Sequence, residues 1–487
     1  MYDMTALELV AAIKEKKLSV PEVVSAYIEE IEKNDKQNKT FLTITKENAL
    51  ERAKEVQVSI DKGDALSSLA GIPIALKDNI STLGLETTCA SKMLKGYKPV
   101  FNAAAVEKLE SAGMIVIGKT NMDEFALGES CTARNPWDKN CIAGDGSVAA
   151  IAAGEVPIAI GSDTSGNLRQ ACSFCNVTGI KPTYGSVSRH GLIAYASSLD
   201  QIGPLGQDIE DCAALLSIIS GPDKRDGTCF IDRPFEFGYN GKIQKGLKIG
   251  LPHLSNIDEE IKTAVLTAAK EYEEAGAVIE EFEMPLMDYI IPIHCIISSA
   301  EVSSNLAKYD GLKYGYRSQS AKTLSECYRL SRSEGFGYEV KRKIMFGSFV
   351  LSSGYYDQYF KKAMQGRELI KDIYNKLFER FDMILSPVTP IASYELNKDI
   401  DDPMNIYNRD IFTAFANLTG FPAVSLPCGF NKQGLPIGYQ LIGNLFTENK
   451  LIEAARFFQT ITNHHKYKPK KNSVPPCLCV KKNGVPL

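Results

Sequence analysis

Apolar residues near the start of the chain recur every three or four positions. One such set runs from Leu7 to Ile13 and a second from Val23 to Ile31. This spacing places the apolar side chains on one face of a helix. Pro21 precedes the second set, at a position where the first turn of a helix tolerates proline. The pattern therefore predicts two amphipathic helices that open the chain.

Beyond residue 70, short apolar runs typical of buried strands alternate with stretches of helical spacing. Strands are predicted at 72–76, 114–117, 156–160, 247–251, 383–385, 423–425 and 437–441. Helices are predicted at 103–112, 149–153, 205–220 and 257–275, and over most of 287–380. Strands that alternate with helices usually pair in parallel and are covered by helices on both faces. We therefore predict an α/β fold, a single α/β/α domain around a large mixed and largely parallel sheet.

The C-terminal end of the chain differs in composition from the rest. From His464 to Leu487 it contains six lysines and four prolines but no acidic residue. Such a segment buries too little apolar surface to fold by itself. We predict one folded domain over residues 1–465 and a basic, loosely ordered tail over residues 466–487. A solvated extension is the favoured interpretation of the tail, and contact with RNA is the alternative.

The overall composition narrows the function classes. With 487 residues and a net charge of -4, the chain has no general attraction for a polyphosphate. Charged residues interrupt the apolar residues of the N-terminal segment, and no run of about 18 uncharged apolar residues occurs later. We therefore expect a cytoplasmic protein without a membrane segment.

The 12 cysteines are scattered along the chain. This density is far below that of a disulfide scaffold, so we interpret them as reduced thiols. Cys172 and Cys175 form a C-x-x-C pair, but no second pair with histidines at zinc spacing accompanies it. No metal site is predicted, and a redox role for the pair is the less favoured alternative.

Two segments carry candidate chemistry. In the first, Thr164, Ser165 and Gly166 follow an apolar strand, so their backbone N–H groups can converge on an anion as in an oxyanion hole. In the second, Lys77 follows the apolar run that begins at Gly71. A lysine buried there would have a lowered pKa and could act as a neutral base. Taken alone, each signal is weak, and a surface lysine is the favoured interpretation of Lys77.

Several longer runs resemble the amidase-signature family. They extend in order from about residue 5 to residue 465 and include GIPIALKDNI, GKTNMDEFALG, NPWD, GIKPTYGSVSRHGLIAYASSLDQIGP and DPMNIYNRDIFTAFANLTGFPAVSLPCGF. Within that family, LETTCASKML, SSLDQIGP and SSGYYD look specifically like the A subunits of tRNA-dependent amidotransferases. The resemblance implies one α/β/α domain around a large mixed sheet.

The resemblance also implies a catalytic triad of the Ser-cisSer-Lys type, in which a lysine activates a relay serine that takes the proton of a nucleophilic serine. Lys77 matches the family lysine, and Asn167 stands at the nucleophile position. A gapless count back from Asn167 puts Ala143 at the relay position, with Gly144 beside it. Neither an amide nor a methyl group can replace a serine in these roles. The expected result is a catalytically impaired copy of the enzyme; replacement of the nucleophile by a nearby hydroxyl, that of Ser147, Ser162, Thr164 or Ser165, is the less favoured alternative.

A glutamine site follows from the same resemblance. In the A subunits an arginine holds the substrate carboxylate and an aspartate holds its amine, and the matching positions here are Lys343 and Asp410. Lysine keeps the charge but loses the bidentate geometry of arginine. Glutamine is therefore the implied substrate, bound more weakly. An ordinary surface ion pair is the alternative for each residue.

Partner subunits are implied as well. In the family, the A subunits supply ammonia by glutamine hydrolysis for the conversion of Glu-tRNA(Gln) to Gln-tRNA(Gln), and they work together with B and C subunits. The sequence contains no G-x-x-x-x-G-K-[ST] motif. We expect no cofactor in this chain: ATP and Mg²⁺ would be bound by a partner subunit, and tRNA would be contacted only through that partner.

Three functions stay open from the sequence. The first is the glutaminase subunit of the amidotransferase, in an impaired form. The second is a non-catalytic amidase-like paralogue with a structural or partner-binding role. The third, an amidase for another small amide, is less favoured because the missing serines serve the whole family.

Overall fold

The computed structural model describes residues 1–64, 67–127, 131–237, 244–396 and 409–469. The α-helices in this part of the chain are α1 (Ala6–Lys14), α2 (Val20–Asn38), α3 (Lys46–Lys62), α4 (Ala104–Ser111), α5 (Gly146–Ala152), α6 (Asn167–Cys175), α7 (Ile209–Ile219), α8 (Glu259–Glu274), α9 (Met287–Asn305), α10 (Leu324–Gly335), α11 (Tyr338–Val350), α12 (Phe360–Arg380), α13 (Ala414–Thr419) and α14 (Glu448–Ile461). The strands are β1 (Phe41–Ile44), β2 (Pro73–Lys77), β3 (Ile115–Thr120), β4 (Ile158–Asp163), β5 (Thr178–Lys181), β6 (Gln201–Gly206), β7 (Lys248–Pro252), β8 (Val278–Phe282), β9 (Met383–Pro387), β10 (Ala423–Phe430) and β11 (Pro436–Ile442).

These strands form one 11-stranded sheet in the order β1-β3-β2-β4-β6-β5-β10-β11-β9-β7-β8. Strand β2 pairs in parallel with β3 and β4, and β7 pairs in parallel with β8 and β9. The remaining pairs are antiparallel. The predicted α/β class and large mixed sheet are thus confirmed, but the expectation of largely parallel pairing is wrong. Strands β5 and β6, and likewise β10 and β11, follow each other without a crossover helix, and parallel pairing of successive strands requires one.

Both predicted N-terminal helices are present, and capping boxes fix where they begin. Thr5 Oγ1 accepts the N–H of Glu8, while the Glu8 carboxylate accepts the N–H of Thr5. Ser19 and Glu22 repeat this arrangement at the start of α2, and Pro21 lies in its first turn. Each box supplies acceptors for two N–H groups that the helix itself leaves without a partner.

The predicted helix at 205–220 is shorter than expected, because residues 205 and 206 belong to strand β6. This strand lies between β4 and β5 and is antiparallel to both. Its glycine and proline residues are disfavoured in strands, so the apolar pattern does not reveal it. Gly203 has a packing reason: a Cβ there would lie 2.1 Å from the Ile180 carbonyl oxygen.

Successive residues of the sheet pack into two apolar clusters on opposite faces. In β9, Met383 and Leu385 belong to one cluster and Ile384 to the other, as the alternation of a strand requires. Helices α1 to α8 and α14 contribute to the first cluster, and α9, α11, α12 and α13 to the second. The sheet is therefore covered by helices on both faces, as predicted.

One helix of the described ranges, Met287–Lys308 with its final turn, is long and apolar enough to cross a membrane. However, 56% of its most apolar window is buried inside the protein, where α9 packs on α11 and α12. Its apolar residues are therefore used in the core. The cytoplasmic location stays a prediction.

The last described residues pack on the domain. Asn176 Nδ2 donates to the carbonyl oxygens of His464 (2.8 Å) and Tyr467 (3.0 Å). Lys468 Nζ donates to the carbonyl oxygen of Tyr2 at 2.8 Å. Ordered contacts thus continue two to three residues past the predicted boundary at 465. Residues 470–487, most of the predicted tail, lie outside the described residues.

Candidate active site

Lys77 is the last residue of β2, and its side chain is almost completely buried. Its Nζ lies 2.7 Å from Asp145 Oδ2, and the Asp145 side chain is buried as well. Nζ also donates to the carbonyl oxygen of Ser162, in β4, at 3.4 Å. The expectation of a surface lysine is therefore wrong: Lys77 is one half of a buried ion pair.

This pairing reverses the predicted protonation of Lys77. Burial by itself would lower the pKa of the Lys77 ammonium, as expected from the sequence, but the charge and hydrogen bond of Asp145 outweigh burial and raise the pKa above its ordinary value. The ammonium form is therefore the stable one near neutral pH. An ammonium group cannot accept a proton, so the pairing with Asp145 opposes a role of Lys77 as a neutral base.

Asp145 precedes α5 and caps it. Its Oδ1 accepts the N–H of Ser147 at 2.8 Å, which leaves Oδ2 directed at Lys77. The family pattern in this loop is GGSSGGS, and Asp145 stands where that pattern has glycine. The sequence does contain a signal for this contact, because Asp145 is an acidic residue among glycine and alanine. The pairing of Asp145 with Lys77 was not predicted from it.

Ala143 and Gly144 come just before this aspartate. Ala143 is fully buried, and its carbonyl oxygen accepts a weak hydrogen bond from Cys175 Sγ at 3.7 Å. Gly144 has a φ of +82°, and a Cβ there would lie 3.4 Å from the Ala171 Cβ. The segment that carries Lys77's partner therefore packs directly on α6, the helix that begins with Asn167.

The loop of Thr164, Ser165 and Gly166 joins β4 to α6. Thr413 Oγ1 donates to the Ser165 carbonyl oxygen at 2.6 Å. Gly166 has a φ of +125°, and a Cβ there would lie 2.2 Å from Thr413 Oγ1. Only glycine fits this approach without displacement. The loop that the sequence suggested as an oxyanion hole is therefore held in one conformation by Thr413.

Asn167 stands at the first position of α6 and is half-buried. Its Oδ1 accepts a hydrogen bond from Ser165 Oγ at 3.3 Å. Ser165 in turn interacts with the Asp410 carboxylate. The nucleophile position is thus occupied by an amide that takes part in a local hydrogen-bond network.

Asp410 lies beside this loop. Its Oδ1 accepts a hydrogen bond from Gln170 Nε2, on α6, at 2.8 Å. Burial raises the pKa of Asp410, although hydrogen bonds from Gln170 and Ser165 and the charge of Lys343 act in the opposite direction. Lys343, on α11, is buried and electrostatically coupled to Asp410. Asp410 thus lies beside the loop through Gln170 and Ser165, and Lys343 is a buried charge near Asp410 rather than a surface residue.

His294, on α9, is a neighbour that the sequence pattern did not single out. Its ring Nε2 lies 3.1 Å from the Thr164 carbonyl oxygen, so the neutral ring donates to the loop. Burial, together with the smaller effect of the Lys343 charge, lowers the pKa of His294 to about 4. A lone histidine inside an apolar helix gives no pattern that points to this contact.

Arg169 fixes the start of α6 from inside the protein. Its guanidinium is fully buried and makes hydrogen bonds to Asp163 (3.0 and 3.1 Å), Gln440 (2.9 Å) and Asn417 (2.7 Å). Burial would raise the pKa of Asp163, but the Arg169 charge holds it below its usual value. This network ties α6 to β4, β11 and α13 and so fixes the position of Asn167.

The C-x-x-C pair lies in the interior of α6. Burial raises the pKa of both the Cys172 and the Cys175 thiol far above its ordinary value. Within the described ranges the ten cysteines are free, and no group of three histidine, cysteine or acidic side chains could hold a metal ion. The pair is thus placed as two packed core thiols.

The fold and site define the class of protein. Residues 22–452 match the family model described as Amidase, and the chain belongs to the amidase-signature family.

Particular relatives are similar over nearly the whole chain. The A subunit of glutamyl-tRNA(Gln) amidotransferase from Lachnoclostridium phytofermentans is 49% identical over 475 residues, which cover 93% of this chain and 96% of the relative. The protein of that name from Agathobacter rectalis is 49% identical over 473 residues, which cover 94% of each. The crystal structure of the same subunit from Thermotoga maritima matches with a TM-score of 0.79 and 36% identity, covering 97% of this chain and 99% of that one.

Proposed function

We propose that this chain is an A-subunit-like member of the glutamyl-tRNA(Gln) amidotransferases that keeps the fold and the partner-binding role but does not hydrolyse glutamine. The observation that carries this proposal is the buried ion pair between Lys77 and Asp145, together with Ala143 and Asn167 at the two serine positions. Similarity over nearly the full chain supports the relation to the A subunits.

The chemistry of amide hydrolysis explains why these positions matter. The reaction needs a nucleophilic oxygen and a base that takes its proton. The Asn167 amide has no ionisable hydroxyl, and the Lys77 ammonium has no free electron pair. Loss of the nucleophile in a serine hydrolase lowers turnover by roughly 10⁶-fold, about 8 kcal/mol of barrier. Substrate binding alone cannot offset a loss of that size.

Three of the four nearby hydroxyl groups form hydrogen bonds with partners other than Lys77, and the fourth, Ser162 Oγ, accepts a hydrogen bond from Asn79 Nδ2 at 2.9 Å. Thr164 Oγ1 donates to Asp200 Oδ1 at 2.7 Å, and Ser147 Oγ shares a 2.6 Å hydrogen bond with Thr120 Oγ1. Ser165 Oγ has one proton and lies within reach of two acceptors, Asn167 Oδ1 and the Asp410 carboxylate. None of these hydrogen bonds leads to Lys77, so none forms the relay that the family chemistry requires.

Glutamine recognition is the part of the site that we expect to persist. Asp410 and Lys343 supply opposite charges beside the loop, as needed for an α-amino acid. We propose that the chain assembles with B and C subunits, that ATP and Mg²⁺ are bound by one of these partners, and that tRNA is contacted through that partner.

Two measurements test this proposal separately. Co-purification of the chain with B and C subunits expressed together should give a stable complex; a chain that elutes alone would refute the partner-binding role. A fluorophosphonate probe should leave the chain unlabelled. Labelling of Ser165 or Ser147 that glutamine prevents would refute the loss of catalysis, because it would reveal a substitute nucleophile.

A further inference from the structure

A cleft of about 730 Å³ has a lining that includes none of the catalytic positions. We call it the lysine–tyrosine cleft and define it by residues 93–97, 308–309 and 313–316, with Ser81, Phe101 and residues 191–193 completing its lining. Lys77, Asn167, Lys343 and Asp410 do not line it. Its volume lies within the roughly 300–1,000 Å³ range of small-molecule sites.

Residues 93–97 and residues 308–316 form the two main walls of the cleft, and backbone contacts join them. The N–H of Tyr316 donates to the Met93 carbonyl oxygen at 2.8 Å. Gly315 has a φ of +85°, and a Cβ there would lie 2.5 Å from Met93 Sδ, so this close approach needs glycine. Asp310 Oδ1 accepts the N–H groups of Leu312 and Lys313 and shapes the turn between them. The cleft is therefore a formed feature of the fold.

Three lysines, Lys95, Lys308 and Lys313, line the cleft. In the part of the chain that the structure describes, none of them lies within 4.0 Å of a carboxylate oxygen. Lys308 Nζ instead lies 5.3 Å from the centre of the Tyr309 ring, and the surrounding protein lowers the pKa of Lys308 by desolvation. Three cationic groups that face one space without a carboxylate favour an anion there.

Exposed aromatic rings line the same space. Tyr97 is 40% exposed, Phe101 41% and Tyr314 60%, although rings of this size usually bury most of their surface. Flat aromatic faces beside lysines are the combination on which nucleobases stack while phosphates are neutralised.

The nearby carboxylates accept hydrogen bonds from neutral donors rather than from the three lysines. Asp310 is held by backbone N–H groups, and Glu334 accepts hydrogen bonds from Tyr316 (2.8 Å) and Ser318 (2.9 Å). Glu86 accepts the N–H of Gly96 at 2.7 Å. Hydrogen bonds from neutral donors leave a carboxylate charged, and they lower the pKa of Asp310 and Glu334, so these groups offset part of the cationic charge. Within the described residues, however, Lys95, Lys308 and Lys313 form no ion pair with a carboxylate and can contact a ligand.

We propose that the lysine–tyrosine cleft binds a nucleotide, with its phosphate at Lys95, Lys308 and Lys313 and its base stacked on Tyr97 or Tyr314. A free nucleotide and the end of a single-stranded RNA offer the same chemistry. The proposal is independent of the loss of amidase activity, because none of the catalytic positions contributes to the cleft.

Titration calorimetry with the full chain at about 50 mM salt tests it, using AMP, adenosine, inorganic phosphate and a single-stranded RNA tetranucleotide. AMP or the tetranucleotide should bind at least tenfold more tightly than adenosine or phosphate alone. If the tetranucleotide binds tenfold more tightly than AMP, the ligand is an RNA strand. If the two bind with equal affinity, the ligand is a free nucleotide. Either result supports the site. No binding of either at millimolar concentration, or phosphate binding as tightly as AMP, would overturn the proposal.

Variants locate the binding. Tyr97→Ala and Lys308→Met should each weaken binding about fivefold or more, the lower end of what one stacked base contributes. Lys313→Met and Tyr314→Ala change exposed residues of the same cleft, so they test the site even if the first two variants fail to fold. Lys361→Met serves as the matched control, because Lys361 is an exposed lysine on α12 whose partner is Asp357. Unchanged affinity in all four cleft variants would overturn the proposal.

Discussion

Lys77 and Asp145 are both almost fully buried, with their charged groups 2.7 Å apart. A buried ion pair gains little over an apolar pair of the same size, but removal of one partner leaves an uncompensated charge in the interior. The loss of unfolding free energy on removal of one partner therefore reports whether Lys77 is charged in the folded protein.

Asp145→Asn should therefore lower the free energy of unfolding by about 3–5 kcal/mol, and Lys77→Met by a similar amount, in urea denaturation at pH 7. The double variant should cost clearly less than the sum, because it leaves neither charge alone. Lys361→Met, which breaks an exposed pair, should change stability little. Strict additivity of the two buried substitutions would contradict the pairing.

The pH dependence of this stability has a defined direction. The folded-state pKa of Lys77 lies above its ordinary value of 10.5. Its contribution is therefore complete below pH 10.5 and is lost as the pH rises through the folded-state pKa. Between pH 6 and 9 the difference in unfolding free energy between the protein and the Lys77→Met/Asp145→Asn double variant should stay constant in chemical denaturation; the double variant is the reference because it leaves no buried carboxylate whose own pKa would shift. A difference that disappears near pH 8 would show that Lys77 is neutral there.

Restoring the hydroxyl groups alone should not restore activity. Ala143→Ser, Ser165→Gly and Asn167→Ser together should stay at the background rate of glutamine hydrolysis, because the Lys77 ammonium cannot take a proton. Adding Asp145→Gly should raise the rate about 100-fold over that triple variant, the lower end of general-base contributions. The variant keeps Gly144, the neighbour of the relay position. Its backbone has a φ of +82°, which a residue with a Cβ adopts only with strain. Equal rates with and without Asp145→Gly would show that Asp145 does not control Lys77.

At the level of elements, the turn from β4 into α6 depends on a single glycine. Gly166→Ala would place a Cβ 2.2 Å from Thr413 Oγ1 in a backbone conformation with φ of +125°. We expect a loss of roughly 1–3 kcal/mol in the free energy of unfolding. Gly354→Ala is the matched control, because no atom lies within 4 Å of its added Cβ and its φ is not positive. Equal stability of the two variants would show that the loop has room to move.

Elements with local signals were predicted well from the sequence. The helical spacing and capping residues of α1 and α2 act within a few positions, so both helices could be found from the sequence. Strand β6 could not be found in this way, because Gly203 and Pro204 are residue types that are rare in strands. Its place in the sheet also depends on contacts with β5, an earlier strand. The excess of antiparallel pairing likewise follows from neighbours that the strand pattern does not specify.

The candidate site shows the same division. Lys77 was identified from the family motif, and its burial agrees with the strand that carries it. Its protonation was predicted wrongly, because the partner Asp145 comes from a different element and no local pattern joins the two. The contacts of His294 and Thr413 with the loop were missed for the same physical reason: they are long-range and leave no spacing in the sequence.

At the scale of the whole molecule, residues 463–469 join the C-terminal end of the described chain to Asn176 and to the N-terminal residue Tyr2. Truncation after residue 469 should leave the thermal unfolding midpoint unchanged. Truncation after Thr462 removes both acceptors of Asn176 Nδ2 and the contact of Lys468 with Tyr2. It should lower the midpoint by several degrees, since each lost hydrogen bond costs about 1 kcal/mol. Equal midpoints for the two truncations would show that residues 463–469 contribute nothing to stability.

The measurement that tests the proposed loss of catalysis most directly is ammonia release from glutamine by the chain purified together with B and C subunits. We expect a rate equal to that of buffer and unchanged in Asn167→Ala and Lys77→Met, while an established glutaminase serves as the positive control in the same assay. A rate above buffer that Lys77→Met or Asn167→Ala abolishes would contradict the loss of catalysis.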